Sequence, residues 1–409
     1  MLISFTVGNY RSFGGQQTLS LVPAPITDHP QNVIQQPNIA LLSSAALYGA
    51  NASGKSNLLR AMSIMKHIVM EGFDNNSVSE LPYDPFLLAP EGPQQPTFYE
   101  ISCWIDGLRY RYGFEADQTS IQAEWLFVAE KKAEKPLFLR LRDGIEVKRA
   151  FPEGKNLEEK TRDNALFLSV VDKFNGKTAG LMMNWFRRLN VISGLAHEGY
   201  RRITFQMLEN PEQQEMLTRF FRTLDLGFEG IRMEVIDLPG EKTVALKTLH
   251  PVSDDQGKQV STIEFDVRLQ ESAGTNKVID LSGPIFDTLL NGGVLVADEL
   301  DAKLHPLLTL SIIRLFQNPE LNQKGGQLIF ATHDTNILSI CNLRRDQIYF
   351  VEKNSSGASD LYSLVEYNKE GKVRKDRSFE KDYISGRYGA IPYVGDFDKL
   401  LKYGAENKN

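Results

Sequence analysis

Residues 45–71 read AALYGANASGKSNLLRAMSIMKHIVME and contain the most informative pattern in the chain. The short apolar run 45–48 is typical of a buried strand, and apolar residues recur at helical spacing from Leu58 to Val69. Between them, GANASGKS at 49–56 matches the full pattern GxxxxGK(S/T) in the strand-to-helix setting that the pattern requires. The sequence therefore predicts a strand, a glycine-rich loop and a helix in that order.

The chemistry of this loop suits a triphosphate. Its glycines let backbone N–H groups curl around phosphate oxygens, the Lys55 ammonium reaches the β and γ oxygens, and the Ser56 hydroxyl is a ligand for Mg²⁺. A chance glycine-rich turn is the alternative, and the flanking strand and helix argue against it. The residues predicted to bind the nucleotide here are Gly49, Asn51, Ala52, Ser53, Gly54, Lys55, Ser56 and Asn57.

The second half of a phosphoryl-transfer site follows the apolar strand 294–297, where Asp298 and Glu299 stand side by side. Asp298 is predicted to hold Mg²⁺, and Glu299 to orient and deprotonate the attacking water. Two solvated carboxylates at a strand end are the alternative reading. The upstream loop favours the functional one, because the carboxyl edge of the sheet gathers both elements in one place.

Composition excludes several classes of protein. The 409 residues are 42% apolar and 24% charged with a net charge of -6, which excludes a disordered or collagen-like chain and does not suit a protein that coats nucleic acid. The two cysteines make neither a disulfide framework nor a zinc spacing. No leader or membrane-spanning run is recognisable, so we expect a cytoplasmic protein without a membrane anchor.

The chain is predicted to start and finish one α/β domain that a long insert interrupts. Residues 1–75 and 271–409 are assigned to the nucleotide-binding core, in which the apolar runs 294–297 and 327–331 are typical of strands buried on both faces. Residues 76–270 are assigned to the insert, with antiparallel strands first, mainly helices over 155–225, and further strands before residue 271.

Three more elements flank the acidic pair. ESAGT at 271–275 precedes it, Asp301 lies just after it, and His333 in ATHD follows the next strand. They resemble the signature, D-loop and switch histidine of ABC-type ATPases, the class that contains SMC, RecF and RecN proteins. More closely, the chain resembles the RloA-like family, AAA-type ATP-binding proteins of bacterial abortive-infection and restriction-associated loci. The resemblance runs nearly end to end and includes NYRSF (9–13), DPF (84–86), DELDAKLHP (298–306), RRDQIYFVEK (344–353) and GRYGAIP (386–392).

The resemblance implies an α/β fold, an ABC-type P-loop ATPase head with a mixed sheet, that dimerises around ATP and Mg²⁺. Ser272 and Gly274 of one subunit would contact the γ-phosphate held by Lys55 of another, and His333 would sense that phosphate. Asp301 would serve the dimer contact. Arg11 in NYRSF either reaches the nucleotide or is an exposed loop arginine. LSG at 281–283 is rejected as the signature because a proline follows it and the acidic strand is too near.

The family further implies an ATPase, hydrolysing ATP to ADP and phosphate, that switches a separate effector, a nuclease-like protein, in antiphage defence. A RecF- or SMC-like ATPase that clamps DNA in repair or chromosome maintenance is the alternative, and nucleic-acid binding stays open. Glu299 argues against a scaffold that never turns over. A GTPase is disfavoured because NKVID at 276–280 has one residue too many for NKxD. The basic runs at 344–345 and 374–377 favour a solvated face.

Overall fold

The computed structural model describes residues 1–72, 76, 78–193, 198–238, 241–367 and 378–392. The strands are β1 (Leu2–Gly8), β2 (Gln17–Ser20), β3 (Val33–Gln36), β4 (Ile39–Leu42), β5 (Ser44–Tyr48), β6 (Thr97–Ile105), β7 (Leu108–Ala116), β8 (Ile121–Ala129), β9 (Lys135–Leu141), β10 (Gly144–Val147), β11 (Leu189–Ser193), β12 (Gly230–Leu238), β13 (Glu241–Ser253), β14 (Gln259–Asp266), β15 (Val294–Asp298), β16 (Gln327–Ala331), β17 (Ile348–Lys353) and β18 (Ser359–Ser363). The helices are α1 (Lys55–Glu71), α2 (Phe167–Lys173), α3 (Lys177–Arg187), α4 (Arg201–Leu208), α5 (Pro211–Thr223), α6 (Val267–Gln270), α7 (Ala273–Asn291), α8 (Pro306–Gln317), α9 (Ile337–Ile340) and α10 (Phe379–Ile384).

The core sheet has the strand order β11-β15-β16-β5-β17-β18. Its first five strands run parallel and β18 pairs antiparallel with β17, so the sheet is mixed, as predicted. Strand β16 separates β5 from β15. The glycine-rich loop after β5, the acidic pair at the end of β15 and ATHD at the end of β16 therefore meet at one edge of the sheet.

Each face of this sheet belongs to a different hydrophobic cluster. On β5, Ala45 and Leu47 pack into one cluster, whereas Ala46 and Tyr48 pack into the other. This two-residue alternation is what a strand covered on both faces produces. Helices α7, α8 and α10 supply the cluster on one side, and α1, α2 and α3 supply the other. The predicted α/β fold is confirmed.

A seven-stranded antiparallel sheet, β10-β9-β8-β7-β6-β1-β2, covers the far side of α1, α2 and α3. Strand β1 pairs with both β2 and β6, so the start of the chain is part of this sheet. A smaller sheet, β12-β13-β14, leads through α6 into α7. No helix in the described ranges is long and apolar enough to cross a bilayer.

Both large sheets combine strands from the two predicted segments. Strand β11 lies within residues 76–270 and pairs with β15 of the core sheet, and β1 pairs with β6 of the insert. The strand at Leu189–Ser193 was missed by the prediction of mainly helix over 155–225. The division at residues 76 and 270 stays a prediction about folding units.

The GRYGAIP segment lies against the core sheet. Tyr388 is fully buried, its ring lies 5.6 Å from the ring of Phe350 on β17, and its hydroxyl donates a hydrogen bond to Asp382 at 2.9 Å. Gly389 has φ +70, and a Cβ there would meet a carboxylate oxygen of Glu352 at 2.6 Å. This part of the family resemblance therefore has a packing role.

Candidate functional site

The glycine-rich loop leaves β5 and wraps closely against its neighbours. A Cβ at Gly49 would lie 2.4 Å from the carbonyl oxygen of Val351. Gly54 has φ +119, and a Cβ there would lie 2.4 Å from the Ser359 hydroxyl and 2.7 Å from that of Ser12. Only glycine satisfies both positions, which explains the two fixed glycines of the motif.

Lys55 begins α1 and points back into the loop. Its ammonium donates hydrogen bonds to the carbonyl oxygens of Gly49 at 2.7 Å and Ala50 at 3.2 Å, and the side chain is buried. Desolvation lowers the pKa of Lys55, while the carboxylates of Asp298 and Glu299 oppose that shift. A buried cation held by loop carbonyls, at the N-terminus of a 17-residue helix, has the chemistry to receive an anion.

Ser53 adds a second sign of a ligand site. Its hydroxyl is buried and has no hydrogen-bond partner among the described residues, although buried polar atoms are usually paired. A phosphate oxygen is a suitable acceptor for that hydroxyl. The loop residues therefore fit a phosphate group.

Ser56 and Asp298, the two predicted metal ligands, are in direct contact. The Ser56 hydroxyl donates to Asp298 Oδ1 at 3.1 Å across 242 positions of sequence. A hydroxyl and a carboxylate are oxygen ligands of the kind that Mg²⁺ prefers. The pair fits a magnesium ion that also binds substrate phosphates.

Glu299 lies immediately beyond this pair in an unusual backbone conformation. Its φ is +51, the left-handed region that residues with a Cβ seldom adopt. Such strain persists only where the surroundings impose it, and it concentrates at functional sites. The conformation turns the chain sharply after Asp298, into the loop that contains Asp301.

The structure brings Asp301 and His333 together. The backbone N–H of His333 donates to Asp301 Oδ2 at 3.4 Å, and Leu300 N–H donates to the Ala331 carbonyl at 3.2 Å. The other carboxylate oxygen of Asp301 is buried without a hydrogen-bond partner in the described part of the chain. The His333 side chain is exposed, and its contact with a γ-phosphate stays a prediction.

The ESAGT turn forms the N-terminus of α7. Ser272 is the N-cap and accepts a hydrogen bond from Thr275 N–H at 3.0 Å, and both Ser272 and Ala273 are exposed. A Cβ at Gly274 would lie 3.0 Å from the carbonyl oxygen of Lys303, so the turn packs against the loop after Asp301. LSG at 281–283 lies inside the same helix.

Lys277 was missed by the sequence reasoning. It lies on α7, is fully buried, and its ammonium donates to the carbonyl oxygens of Glu299 at 3.2 Å, Leu300 at 2.9 Å and Ala302 at 2.5 Å. All three donors of the ammonium are thus used. Lys277 ties the helix that begins at the exposed ESAGT turn to the backbone of Glu299.

This burial makes Lys277 a source of pH-dependent stability. Desolvation lowers its pKa from 10.5 to about 8. Between these values the unfolded chain binds the proton and the folded protein does not, so the free energy of unfolding rises with pH. We expect wild type to gain stability relative to Lys277→Met between about pH 8 and pH 10.5, measured by urea unfolding. If the free energy of unfolding of wild type minus that of Lys277→Met stays constant or falls as the pH rises, Lys277 is not desolvated in this way.

Arg11 pairs with a residue of the DPF segment. Its Nε and Nη2 donate to Asp84 Oδ2 at 3.0 Å and 2.9 Å. The neighbouring Ser12 hydroxyl accepts a hydrogen bond from the Asn57 side chain at 2.9 Å. Arg11 therefore lies beside the first turn of α1, and direct contact with a nucleotide stays a prediction.

The solvated face expected for the basic run at 344–345 is wrong. Arg344 is buried and pairs with Asp346, and Arg345 pairs with Asp28. Acidic side chains, one of them distant in sequence, therefore neutralise this run. Residues Arg374, Lys375 and Arg377 lie outside the described residues.

The chain matches the model of a known protein family. A family model described as "AAA domain, putative AbiEii toxin, Type IV TA system" matches residues 44–339. The chain belongs to this family. The matched span runs from β5 through the glycine-rich loop, ESAGT, the acidic pair and ATHD. The resemblance to AAA-type ATP-binding proteins of abortive-infection loci is confirmed.

Curated proteins and solved structures add no information about function. No curated protein matches the chain. A solved structure of cbiO1 from Clostridium perfringens, part of the ABC transporter complex cbiONQ, matches with 12% sequence identity and a TM-score of 0.30, over 88% of this chain and 87% of that one. At this identity and TM-score the likeness carries no argument about function.

Proposed function

We propose that this AbiEii-type AAA protein is a Mg-ATP-dependent ABC-type ATPase switch that dimerises around ATP and controls a partner effector in antiphage defence. The observation that carries the ATPase part is the 3.1 Å contact between Ser56 and Asp298. It joins the loop that suits a triphosphate to the acidic strand end that suits its metal and its attacking water. Family membership supports the same chemistry.

Each side chain has a defined task in hydrolysis. Lys55 exchanges its loop carbonyls for the β and γ oxygens of ATP, where its charge offsets the charge that develops during transfer. Ser56 and Asp298 would hold Mg²⁺, which when bound neutralises phosphate charge and orients the γ-phosphate. Glu299 accepts a proton from the attacking water. Its strained backbone conformation determines the direction in which the side chain leaves the main chain.

Dimerisation is supported by the exposure of the ESAGT turn. Ser272 and Ala273 face solvent at the N-terminus of a 19-residue helix, whose partial positive charge suits a partner's γ-phosphate. Lys277 then connects that helix to Glu299 of its own subunit. A shift of α7 on contact with a partner's nucleotide would therefore also move the backbone at Glu299. This connection would couple dimerisation to the acidic loop.

Ser272→Arg is expected to abolish the ATP-dependent dimer while the monomer binds ATP within about twofold of wild type. A long charged side chain at the turn blocks close approach to a partner's phosphate. Light scattering with MgATP measures the dimer, and titration calorimetry measures binding. Ser378→Arg is the matched control. Ser378 is the N-cap of α10 and accepts a hydrogen bond from Lys381 N–H, so this substitution also removes the side-chain cap of a helix. An undiminished dimer in Ser272→Arg would refute the proposed interface.

The effector and its setting rest on the family. We propose a separate nuclease-like protein as the partner and the cytoplasm as the compartment. Copurification of the ATP-bound protein with the product of the neighbouring open reading frame tests this. Recovery of a nuclease supports control of an effector. Steeply salt-sensitive binding of duplex DNA with no companion protein would favour the repair ATPase instead.

A further inference from the structure

Three side chains, Thr248, His250 and Glu271, join the sheet β12-β13-β14 to the ESAGT turn. The Glu271 carboxylate accepts a hydrogen bond from the Thr248 hydroxyl, and the same oxygen lies 2.8 Å from Nε2 of His250. We propose that His250 is a positioning residue, which acts through Glu271 to set the direction in which Ser272 faces a partner's γ-phosphate. The inference rests on the proposed function and deepens it.

The ESAGT turn passes from a buried side chain to exposed residues within one step of the chain. The Glu271 side chain is 7% exposed, whereas the next two residues, Ser272 and Ala273, are exposed. Because the backbone has only two soft dihedral angles per residue, the place of Glu271 limits where the Ser272 hydroxyl can point. A group that holds Glu271 therefore controls the exposed part of the turn.

The His250 ring is itself held by aromatic side chains. Its centroid lies 4.2 Å from that of Phe265 on β14 and 6.0 Å from that of Phe228. Thr248 and His250 are two residues apart on β13, so both side chains lie on the same face of the sheet. Strand β13 thus presents a hydroxyl and an imidazole nitrogen together to one oxygen of Glu271.

A second anchor holds the backbone of the same turn. The Asn276 side-chain amide donates to the carbonyl oxygens of Glu271 at 3.2 Å and Ser272 at 3.1 Å, and its oxygen accepts a hydrogen bond from Arg201 at 3.0 Å. In the sequence, Asn276 is the first residue of NKVID, the incomplete GTPase motif. In the fold it belongs to the same helix as the turn, whereas His250 ties the turn to a separate element, β13.

The contact with Glu271 suits a positioning role. An ionised carboxylate only accepts hydrogen bonds, so Nε2 of His250 is the donor. Hydrogen bonds to a charged group are stronger than those between neutral groups, and losing one at a buried carboxylate is costly. Without the His250 nitrogen the turn would adopt more orientations, and the dimer would weaken as the competent fraction falls.

The test compares His250→Phe with His250→Gln. The Phe variant keeps a ring that packs on Phe265 and loses the nitrogen that faces Glu271, whereas the Gln variant carries an amide N–H at a similar reach. We expect the dissociation constant of the MgATP-dependent dimer to rise about tenfold in His250→Phe and to stay within about threefold of wild type in His250→Gln. Light scattering over a range of protein concentrations measures the dimer. Titration calorimetry should show ATP binding to the monomer within about twofold of wild type in both variants.

A fluorophore on the turn measures the positioning in the absence of ATP. Fluorescein maleimide attached to Ala273→Cys, an exposed position of ESAGT, should lose anisotropy in the His250→Phe background and keep it in the His250→Gln background. His67→Phe is the matched control. His67 lies near the end of α1 with its Nδ1 3.1 Å from the Glu71 carboxylate, so this substitution removes another contact between a histidine and a glutamate and should change neither readout.

Wild-type anisotropy or wild-type dimer affinity in His250→Phe would overturn the assignment. So would an equal weakening of the dimer in both variants, since that would report lost ring packing and not the lost nitrogen. Failure of the wild-type protein to dimerise with MgATP would contradict the proposed function instead, and the anisotropy would still decide whether His250 holds the turn. Thermal unfolding verifies that the variants are folded.

Discussion

Lys55→Ala is expected to lower the affinity for ATP by about a hundredfold or more. The buried ammonium lies at the N-terminus of α1, and its hydrogen-bond partners among the described residues are carbonyl oxygens of the loop, which phosphate oxygens would replace on binding. Its loss removes the charge that offsets the β and γ phosphates and leaves nothing of equal reach in the loop. Binding is measured by calorimetry or by displacement of a fluorescent ATP analogue.

Lys66→Ala provides the matched control for this experiment. Lys66 lies on the same helix, and burial also lowers its pKa, but its ammonium donates to the Leu189 carbonyl at 2.7 Å, three turns from the loop. The control should bind ATP as the wild type does. Comparable ATP affinity in Lys55→Ala and wild type would mean that GANASGKS is not the phosphate site.

Glu299→Gln is expected to lower ATP turnover by about a hundredfold to a thousandfold while MgATP still binds. The amide keeps the shape of the side chain and cannot accept a proton from water. Because hydrolysis is blocked after assembly, the variant should accumulate as an ATP-bound dimer. Phosphate release measures turnover, and light scattering with ATP and with ADP measures the dimer.

Glu320→Gln makes the same chemical change at an exposed residue and should leave both readouts unchanged. Equal turnover in wild type and Glu299→Gln would remove Glu299 from the role of general base. Slow turnover without a dimer would leave Glu299 in place and count against closure around ATP.

The elements of the candidate site were predictable because each is short, local and adjacent to a strand end. GANASGKS needs only one strand and one helix, and the contact between Ser56 and Asp298 follows from parallel strands that share a carboxyl edge. The helix that begins at ESAGT was not predicted, although a serine before a long segment with an apolar face is typical of an N-cap.

Other features depended on contacts that no local pattern contains. Lys277 looks like any polar residue at the start of a helix, and only the packing of α7 on the acidic loop makes it a buried tether. Arg344 belongs to a basic run, yet Asp346 and backbone carbonyls enclose it. Strand β11 has five residues between helices, too few for its period to be distinguished from a helix end.

If the ESAGT turn of one subunit closes over ATP held by another, a cysteine in the turn can be cross-linked to a cysteine in the partner's phosphate loop. Asn51→Cys and Ser272→Cys are introduced into separate copies of the Glu299→Gln protein, which are then mixed with a short bismaleimide. The native thiols of Cys103 and Cys341 will not compete, because both are buried and burial raises their pKa to about 12.

We expect a covalent dimer from the mixture with MgATP, and none with MgADP or from either variant alone, because only the closed dimer places one subunit's phosphate loop against the other's turn. A mixture that yields no ATP-dependent covalent dimer, while each variant still binds ATP, would contradict closure of the ESAGT turn over a partner's ATP.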